Sequence, residues 1–493
     1  MRSGCRADPR WLCAASQPTG FVTRVPGPES RGCRRADRLS VLVPTTLQTS
    51  LDRSDAAARA TTPFSDMTSS ARLSRHPYTV TSFHAMASLC AGTRDSRVLV
   101  CAGARALLLA PPLGEGEARV VEFDTRSDTQ GQAPGTVSAG AQGLILAACL
   151  SSRGDLIAIA DDFKRLSVFR VRSSWERLFS CSVPRCCTAL ALVPDGPPAP
   201  SGENGGARDA AGGAIVLAAD RAGDVYHFRV TPGSPAQIAE EAVNGQPLLG
   251  HLSMLLDLAV TEDARFVVTS DRDEKVRVSL LDAPHNIHTF CLGHTAFVSR
   301  VTLMKNHPDK LLTGSGDGTV RLWDLTSGRE ISSCNLNPSP AEQRKEHPVS
   351  CVAHTATLDM IAAVCEGLPG VHLLHLVNCA EEGRDPTMHR LGEMLAPDWP
   401  VLSASFDGQS RLWLLGGRPC LCVRVYAARH EGKFELLPLS EAESLSRSLA
   451  QMPEELPESA WSSFSALYRH PIDGSEVYFQ RKEERLEKRK RKH

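Results

Sequence analysis

The sequence lacks several features that would place a protein in a functional class directly. Its 493 residues carry a net charge of −1, so any nucleic-acid contact requires a local basic patch rather than an overall field. No apolar run approaches the ~20 residues that span a membrane. Sixteen cysteines are scattered without a CxxC pair, and the close sets at 186–187 and 420–422 do not have zinc-ligand spacing. We therefore expect no metal site, and reduced, mostly buried thiols typical of an intracellular protein.

Lysine is also missing from the N-terminal third, where the first one is Lys164. Residues 1–85 contain twelve Arg, are rich in Ser, Thr, Pro and Ala, and show no sustained periodicity. Arg-rich, acid-poor N-termini can be mitochondrial presequences. The alternative, which we favour, is a disordered and dispensable extension with Met86 as the working start.

Catalytic and cofactor motifs are not found in a suitable context. The glycine-rich stretch 314–318 precedes another strand pattern, whereas a phosphate-binding loop opens a helix. The stretch 113–124 faintly resembles an S-adenosylmethionine turn but lacks the helix between its two elements. No Ser/His/Asp or Cys/His set has a recognisable context. We expect a protein that is not an enzyme and binds no cofactor itself.

The most informative stretch, 250–324, contains two copies of one pattern. Each begins with Gly-His and continues through short, β-branched apolar runs; the second ends in TVRLWD. A period of about 40–45 residues with Gly-His near the start and Trp-Asp at the end is the WD40 signature. Weaker copies flank these two. We therefore predict an all-β, seven-bladed WD40 propeller over residues 86–435, each repeat forming one four-stranded blade.

In WD repeats, an Asp, a His, a Ser or Thr and a Trp form a hydrogen-bonded tetrad. In the second copy the predicted members are His294, Thr313, Asp317 and Trp323. In the first copy His251 matches His294 and Asp273 is aligned with Asp317, but Ser279 replaces the Trp. This substitution predicts that Asp273 and its neighbours are less committed to internal structure.

Beyond the propeller, an irregular or helical segment is expected at 436–474 and a short basic helix or tail at 475–493. The chain ends in RKEERLEKRKRKH, which has eight Lys or Arg against three Glu. Basic runs of this kind suit nuclear import or contact with RNA phosphates, and a solvated tail is the alternative. The residues concerned are Lys488, Arg489, Lys490, Arg491 and Lys492.

The two strong repeats, together with DDFKRLSVFR, RCCTAL, DRAGDVYHF and KEERL, resemble one WD-repeat family over roughly residues 86–493. It is the non-catalytic subunit of the eukaryotic tRNA (guanine-N7-)-methyltransferase. The resemblance implies a heterodimer with a catalytic subunit that binds S-adenosylmethionine and methylates guanosine N7 in the tRNA variable loop. It also implies that this chain binds and orders that subunit, that tRNA is contacted mainly through the complex, and that the location is the nucleus, with the cytoplasm as a further site.

The resemblance places the main contact with the catalytic subunit in the DRDEKVR segment, at Asp273, Glu274, Lys275 and Arg277. Four charges in five residues at a blade turn suit an exposed surface that faces complementary charges. We expect Arg277 to reach the propeller face and to bind a partner carboxylate. Lys164 and Arg165 hold a similar turn position in an earlier blade and are weaker candidates.

A generic interaction propeller remains the alternative, for example a substrate receptor of a ubiquitin ligase or a chromatin-binding module. A propeller fold alone does not exclude either function.

Overall fold

Seven four-stranded antiparallel sheets make up the described chain, which confirms the predicted seven-bladed propeller. The computed structural model describes residues 87–91, 97–110, 119–127, 142–151, 154–171, 174–193, 214–230, 245–338, 347–355, 357–378, 385–392, 395–417, 420–428, 434–437, 440–451 and 464–468. All of these belong to the compact unit Pro77–His493. The predicted extension 1–85 and the basic end 475–493 lie outside the described residues.

Each blade uses four consecutive strands. Blade 1 contains β1 (Ala87–Ala91), β2 (Val98–Ala102), β3 (Arg105–Ala110) and β4 (Arg119–Asp124). Blade 2 contains β5 (Ile145–Leu150), β6 (Leu156–Asp161), β7 (Arg165–Val171) and β8 (Trp175–Ser182). Blade 3 contains β9 (Cys187–Leu192), β10 (Ala214–Asp220), β11 (Asp224–Val230) and β12 (Gln246–Gly250). Blade 4 contains β13 (Leu255–Val260), β14 (Phe266–Asp271), β15 (Lys275–Leu280) and β16 (Ile287–Leu292).

The remaining blades repeat this arrangement. Blade 5 contains β17 (Val298–Leu303), β18 (Lys310–Ser315), β19 (Thr319–Asp324) and β20 (Glu330–Asn335). Blade 6 contains β21 (Val349–His354), β22 (Met360–Cys365), β23 (His372–Val377) and β24 (Thr387–Arg390). Blade 7 contains β25 (Val401–Phe406), β26 (Arg411–Gly416), β27 (Cys422–Ala428) and β28 (Phe434–Leu437).

The two middle strands of each blade form the core, as in β2 and β14, whose residues are all buried. Because the strands are antiparallel, the turn between the second and third strands lies at the same end as the connection to the next blade. We call this end the turn face. Outermost strands are more exposed, as in β16.

The ring closes between blades 7 and 1 without exchange of a strand. The hydroxyls of Ser403 and Ser405 accept the backbone N–H groups of Leu89 and Ala91, each at 3.2 Å. Polar side chains on the first strands of other blades make similar bridges; Asp257, for example, accepts the N–H of Val301 at 3.0 Å. These bonds satisfy backbone groups that the innermost strands present to the next blade.

The helix α1 (Ser440–Ala450) covers the junction of blades 7 and 1. Its apolar side chains Ala442, Leu445 and Leu449 lie at helical spacing and are buried together with Val423 of β27 and Leu107 of β3. The α1 sequence is not basic, so it is distinct from the predicted basic helix, and it lies in the segment predicted to be irregular or helical. None of the helices among the described residues is long and apolar enough to cross a membrane.

Candidate functional site

The predicted tetrad of blade 5 is assembled on the turn face. Nδ1 of His294 lies 2.9 Å from Oδ2 of Asp317, and Nε2 lies 2.7 Å from Oγ1 of Thr313. Trp323 donates its Nε1–H to the same Oγ1 at 2.8 Å. Thr313 can therefore donate its hydroxyl proton to Nε2, which leaves Nδ1–H to donate to Asp317.

This network sets the charge state of Asp317. Burial would raise the pKa of its carboxyl, but hydrogen bonds from His294, Thr319 and the N–H of Thr295 outweigh burial and hold the pKa well below its usual range. Asp317 therefore stays ionised in the fold. Its role is structural, because each of these contacts is made within the chain.

In blade 4 the acid bonded to His251 is not Asp273, although Asp273 holds the position that Asp317 holds in blade 5. Nδ1 of His251 lies 3.1 Å from Oδ2 of Asp271, and Nε2 lies 2.8 Å from Oγ1 of Thr269. Asp271 is the last residue of β14, so its side chain points to the same side of the strand as that of Thr269, two residues earlier. The acid of the blade-4 network is therefore Asp271, and Asp273 lies in the turn that follows.

Asp271 also fixes that turn. Its Oδ1 accepts the N–H groups of Asp273 at 2.8 Å and Lys275 at 3.1 Å. Glu274 has a positive φ of 71°, a conformation that L-residues rarely adopt unless the surroundings impose it. The backbone that carries the predicted contact residues is thus held before any partner binds.

The same turn occurs in two earlier blades, a signal that the sequence does contain. An aspartate ends the second strand, and its Oδ1 accepts the N–H of the residue four positions on. The pairs are Asp161–Arg165 at 3.0 Å, Asp220–Asp224 at 3.0 Å and Asp271–Lys275 at 3.1 Å. Recognising this recurrent spacing would have identified Asp271 rather than Asp273.

Arg277 does not face outward, contrary to the sequence-based expectation. The residue is only 9% exposed. Its guanidinium donates to Oγ of Ser279 at 2.8 Å and to the carbonyls of Gly250 and Pro284, both at 3.0 Å. Burial lowers the pKa of Arg277. Because the small Ser279 stands where blade 5 has Trp323, the arginine has room to turn inward.

The positions of the two weaker candidates differ. Arg165 is buried and bonds Oδ2 of Asp161 from Nε at 2.9 Å and from Nη2 at 2.7 Å. Lys164 occupies the left-handed turn position, with φ of 59°, and is partly exposed. The guanidinium groups of Arg165 and Arg277, both predicted as partner contacts, are therefore bonded within the chain, whereas Lys164 is partly exposed.

Sequence reasoning missed an apolar part of blade 4. On β16, Phe290 and Leu292 are 39% and 63% exposed, and the nearby Leu252 is fully exposed. Leu292 pairs with Lys275, and Phe290 pairs with Arg277, so these side chains share one face of the sheet. Exposed apolar residues beside charged ones are typical of protein interfaces.

We call Leu252, 273–275, Phe290 and Leu292 the blade-4 surface. Lys275 is exposed and Asp273 and Glu274 are partly buried. The surface therefore offers both charge signs next to apolar area on a fixed turn. This combination suits a protein partner rather than a small substrate.

Other chemistry is not evident in the described part of the chain. No group of three or more His, Cys, Asp or Glu side chains there could hold a metal ion. The cysteines of that part are free thiols, and all but Cys420 are buried or partly buried. The basic residues 488–492 lie outside the described part, so their role stays a prediction.

Comparison with known proteins identifies clear relatives. Residues 234–396 match the family model for the tRNA methyltransferase TRM82 WD40 domain. Three relatives are each named tRNA (guanine-N(7)-)-methyltransferase non-catalytic subunit. The Danio rerio protein is 35% identical over 70% of this chain and 77% of its own length. The Xenopus laevis protein is 35% identical over 71% and 82%, and the Homo sapiens protein is 36% identical over 69% and 76%.

Proposed function

Because the chain belongs to the family of non-catalytic subunits of tRNA (guanine-N7-)-methyltransferase, we propose that it binds and orders the catalytic subunit through the blade-4 surface. The catalytic subunit supplies the S-adenosylmethionine site and forms N7-methylguanosine in the tRNA variable loop. This chain performs no chemistry. The complex is a heterodimer that works in the nucleus, with the cytoplasm as a further location.

The observation that carries this proposal is the pairing of exposed Leu292 with exposed Lys275 at the end of a turn fixed by Asp271. A fixed turn loses little conformational freedom on binding, which favours affinity. Leu292 supplies an apolar anchor, and Lys275 with its acidic neighbours can select a partner of complementary charge. Arg277 contributes indirectly, because its hydrogen bonds hold β15 to the end of β12 at Gly250 and to the loop at Pro284.

The tRNA reaches this chain through the complex. With a net charge of −1 the whole chain has no strong field for RNA, and the residues best suited to phosphate contact are those at 488–492. Replacing these five with Gln should weaken tRNA binding by the pair or shift the protein toward the cytoplasm. Retention of both properties would show that the end is only a solvated tail.

The test of the partner surface is a titration of the catalytic subunit against Leu292→Glu and Lys275→Glu. Each change should weaken binding by at least about tenfold, because a buried charge or a like-charge contact costs more than 1.4 kcal/mol. Leu436→Glu is the matched control, since Leu436 is 49% exposed on β28, the outermost strand of blade 7. Equal binding by all three variants would rule out blade 4 as the interface, and co-purification with a ligase scaffold instead would contradict the function.

A further inference from the structure

Residues 464–468, which we call the clasp, lie on the turn face across blades 4, 5 and 6. The clasp is far in sequence from these blades and contains a single 3₁₀ turn, Ser465–Leu467. Phe464 and Leu467 are 5% and 1% exposed, so their side chains are as buried as those of the blade cores. The clasp is bound to specific positions of these blades by hydrogen bonds at Arg272, Gly316 and Glu366.

The clasp contacts the same structural position in three successive blades, the residue that follows the second strand. Nε of Arg272 in blade 4 donates to the carbonyl of Leu467 at 2.9 Å. The hydroxyl of Tyr468 donates to the carbonyl of Gly316 in blade 5 at 2.7 Å. The N–H of Phe464 donates to Oε2 of Glu366 in blade 6 at 3.2 Å.

An aromatic core fixes the clasp between these polar contacts. The ring of Phe464 stacks on Phe297 with centroids 5.8 Å apart, and Tyr468 meets the same ring edge-on at 5.0 Å. Leu467 packs with Leu256 in this cluster. A Cβ at Gly316 would lie 2.5 Å from the Phe297 ring, so the glycine provides the space that this ring occupies.

Arg272 links the clasp to the blade-4 surface. It immediately precedes Asp273, and its own N–H donates to the carbonyl of Met254 at 2.9 Å. Met254 in turn packs against the aromatic cluster that holds Leu467. The turn is therefore attached to the clasp in two ways. The Arg272 side chain bonds Leu467 directly, and Met254, which accepts the Arg272 N–H, packs against the cluster that holds Leu467.

We propose that the clasp is an intramolecular ligand of the turn face that holds the blade-4 turn in the conformation bound by the catalytic subunit. Arg272 is then a positioning residue for partner binding. This inference rests on the proposed function for the identity of the partner. Coupling between two sites is reciprocal, so binding of the catalytic subunit also stabilises the docked clasp.

The first part of the test uses the free protein and hydrogen exchange at the amides of Asp273 and Lys275, which report on the turn. Leu467→Ala removes the apolar anchor and Arg272→Leu removes the guanidinium. Each should speed exchange at these amides by about tenfold, because local opening becomes easier. Arg329→Leu is the control, since Arg329 binds Asp385 at 2.9 Å on the opposite face, and it should leave exchange unchanged. Unchanged exchange in the first two variants would overturn the proposal.

The second part uses rescue and partner affinity. A synthetic peptide covering residues 461–472, added to the Leu467→Ala protein, should restore slow exchange, whereas the same peptide carrying Leu467→Ala should not. Affinity for the catalytic subunit should fall about tenfold in Leu467→Ala and Arg272→Leu. Faster exchange with unchanged affinity would overturn the positioning role. If Leu292→Glu and Lys275→Glu also left affinity unchanged, the failure would lie in the proposed partner surface.

Discussion

Replacing Arg277 by Leu should destabilise blade 4, with partner binding lost as a consequence. The guanidinium donates to Oγ of Ser279 and to the carbonyls of Gly250 and Pro284. Hydrogen bonds from a charged donor contribute about 1.5–3 kcal/mol each, but they are not additive and both carbonyls are partly reachable by water. We therefore expect a net loss of about 2–4 kcal/mol in the free energy of unfolding.

Thermal unfolding of the isolated chain measures this loss directly. A loss of that size corresponds to a fall in Tm of roughly 4–10 °C for a domain of this size. Arg321→Leu is the matched control, because Arg321 holds the same strand position in blade 5. It bonds Glu330 at 2.6 Å and Oγ1 of Thr319 at 3.3 Å. Because the Glu330 side chain is 33% exposed and keeps its access to water when the pair is broken, this change should cost less, about 1–2 kcal/mol. An Arg277→Leu protein with unchanged Tm and weakened partner binding would refute this reasoning and show that the guanidinium faces the partner.

Three further predictions concern stability. Leu445→Ala should lower the free energy of unfolding by about 2–5 kcal/mol, because Leu445 is fully buried between blades 7 and 1. Thermal unfolding measures this loss, and Glu443→Ala, at an exposed position of the same helix, should have little effect. Burial lowers the pKa of His372 to about 4, so the folded chain binds fewer protons than the unfolded chain between that value and about 6.5. The free energy of unfolding should therefore fall by roughly 2–3 kcal/mol as the pH drops through this window. In urea titrations, His372→Gln should make the free energy of unfolding depend less steeply on pH. The pKa of Asp317 is lowered in the fold, so the ionised carboxylate stabilises the fold fully above pH ~4, and this stabilisation is lost as the pH falls toward the pKa of the folded state. The difference in Tm between the Asp317→Asn variant and the unchanged chain should therefore be smaller at pH 3 than at pH 7.

The blade pattern could be predicted from the sequence because it rests on local periodicity. Short apolar runs separated by turn residues repeat with a fixed period, and each blade is built from consecutive strands. The tetrad of His294, Thr313, Asp317 and Trp323 follows from the same period. These features need only the order of residues within one repeat.

The acid of blade 4 could not be placed by comparison with blade 5 alone. Asp273 stands four residues before Arg277, as Asp317 stands four before Arg321, so the alignment selected Asp273. The choice depends on which side of the strand a carboxylate occupies. Asp271 shares its side with Thr269, whereas in blade 5 the corresponding position is Ser315 and Asp317 reaches back from the turn.

The inward position of Arg277 and the docking of the clasp could not be predicted from local sequence patterns either. Arg277 turns inward because Ser279 leaves space and because carbonyls at Gly250 and Pro284 converge there. The clasp has no periodicity of its own, and its contacts reach back 98 to 195 residues. Such contacts are decided by tertiary packing, which outweighs local preference.

The blades show how one repeated backbone supports different uses of the same position. The residue after the second strand donates its N–H to the carbonyl of the residue before the first strand in five blades, at 3.0 Å for Asp162, 2.9 Å for Arg272, 2.8 Å for Gly316, 2.8 Å for Glu366 and 3.1 Å for Gly417. With the backbone fixed in this way, only the side chain differs. Arginine at 272 donates to the clasp, glycine at 316 leaves room for Phe297, and glutamate at 366 accepts an N–H. A change at one of these positions can therefore alter clasp docking while the blade that carries it stays intact.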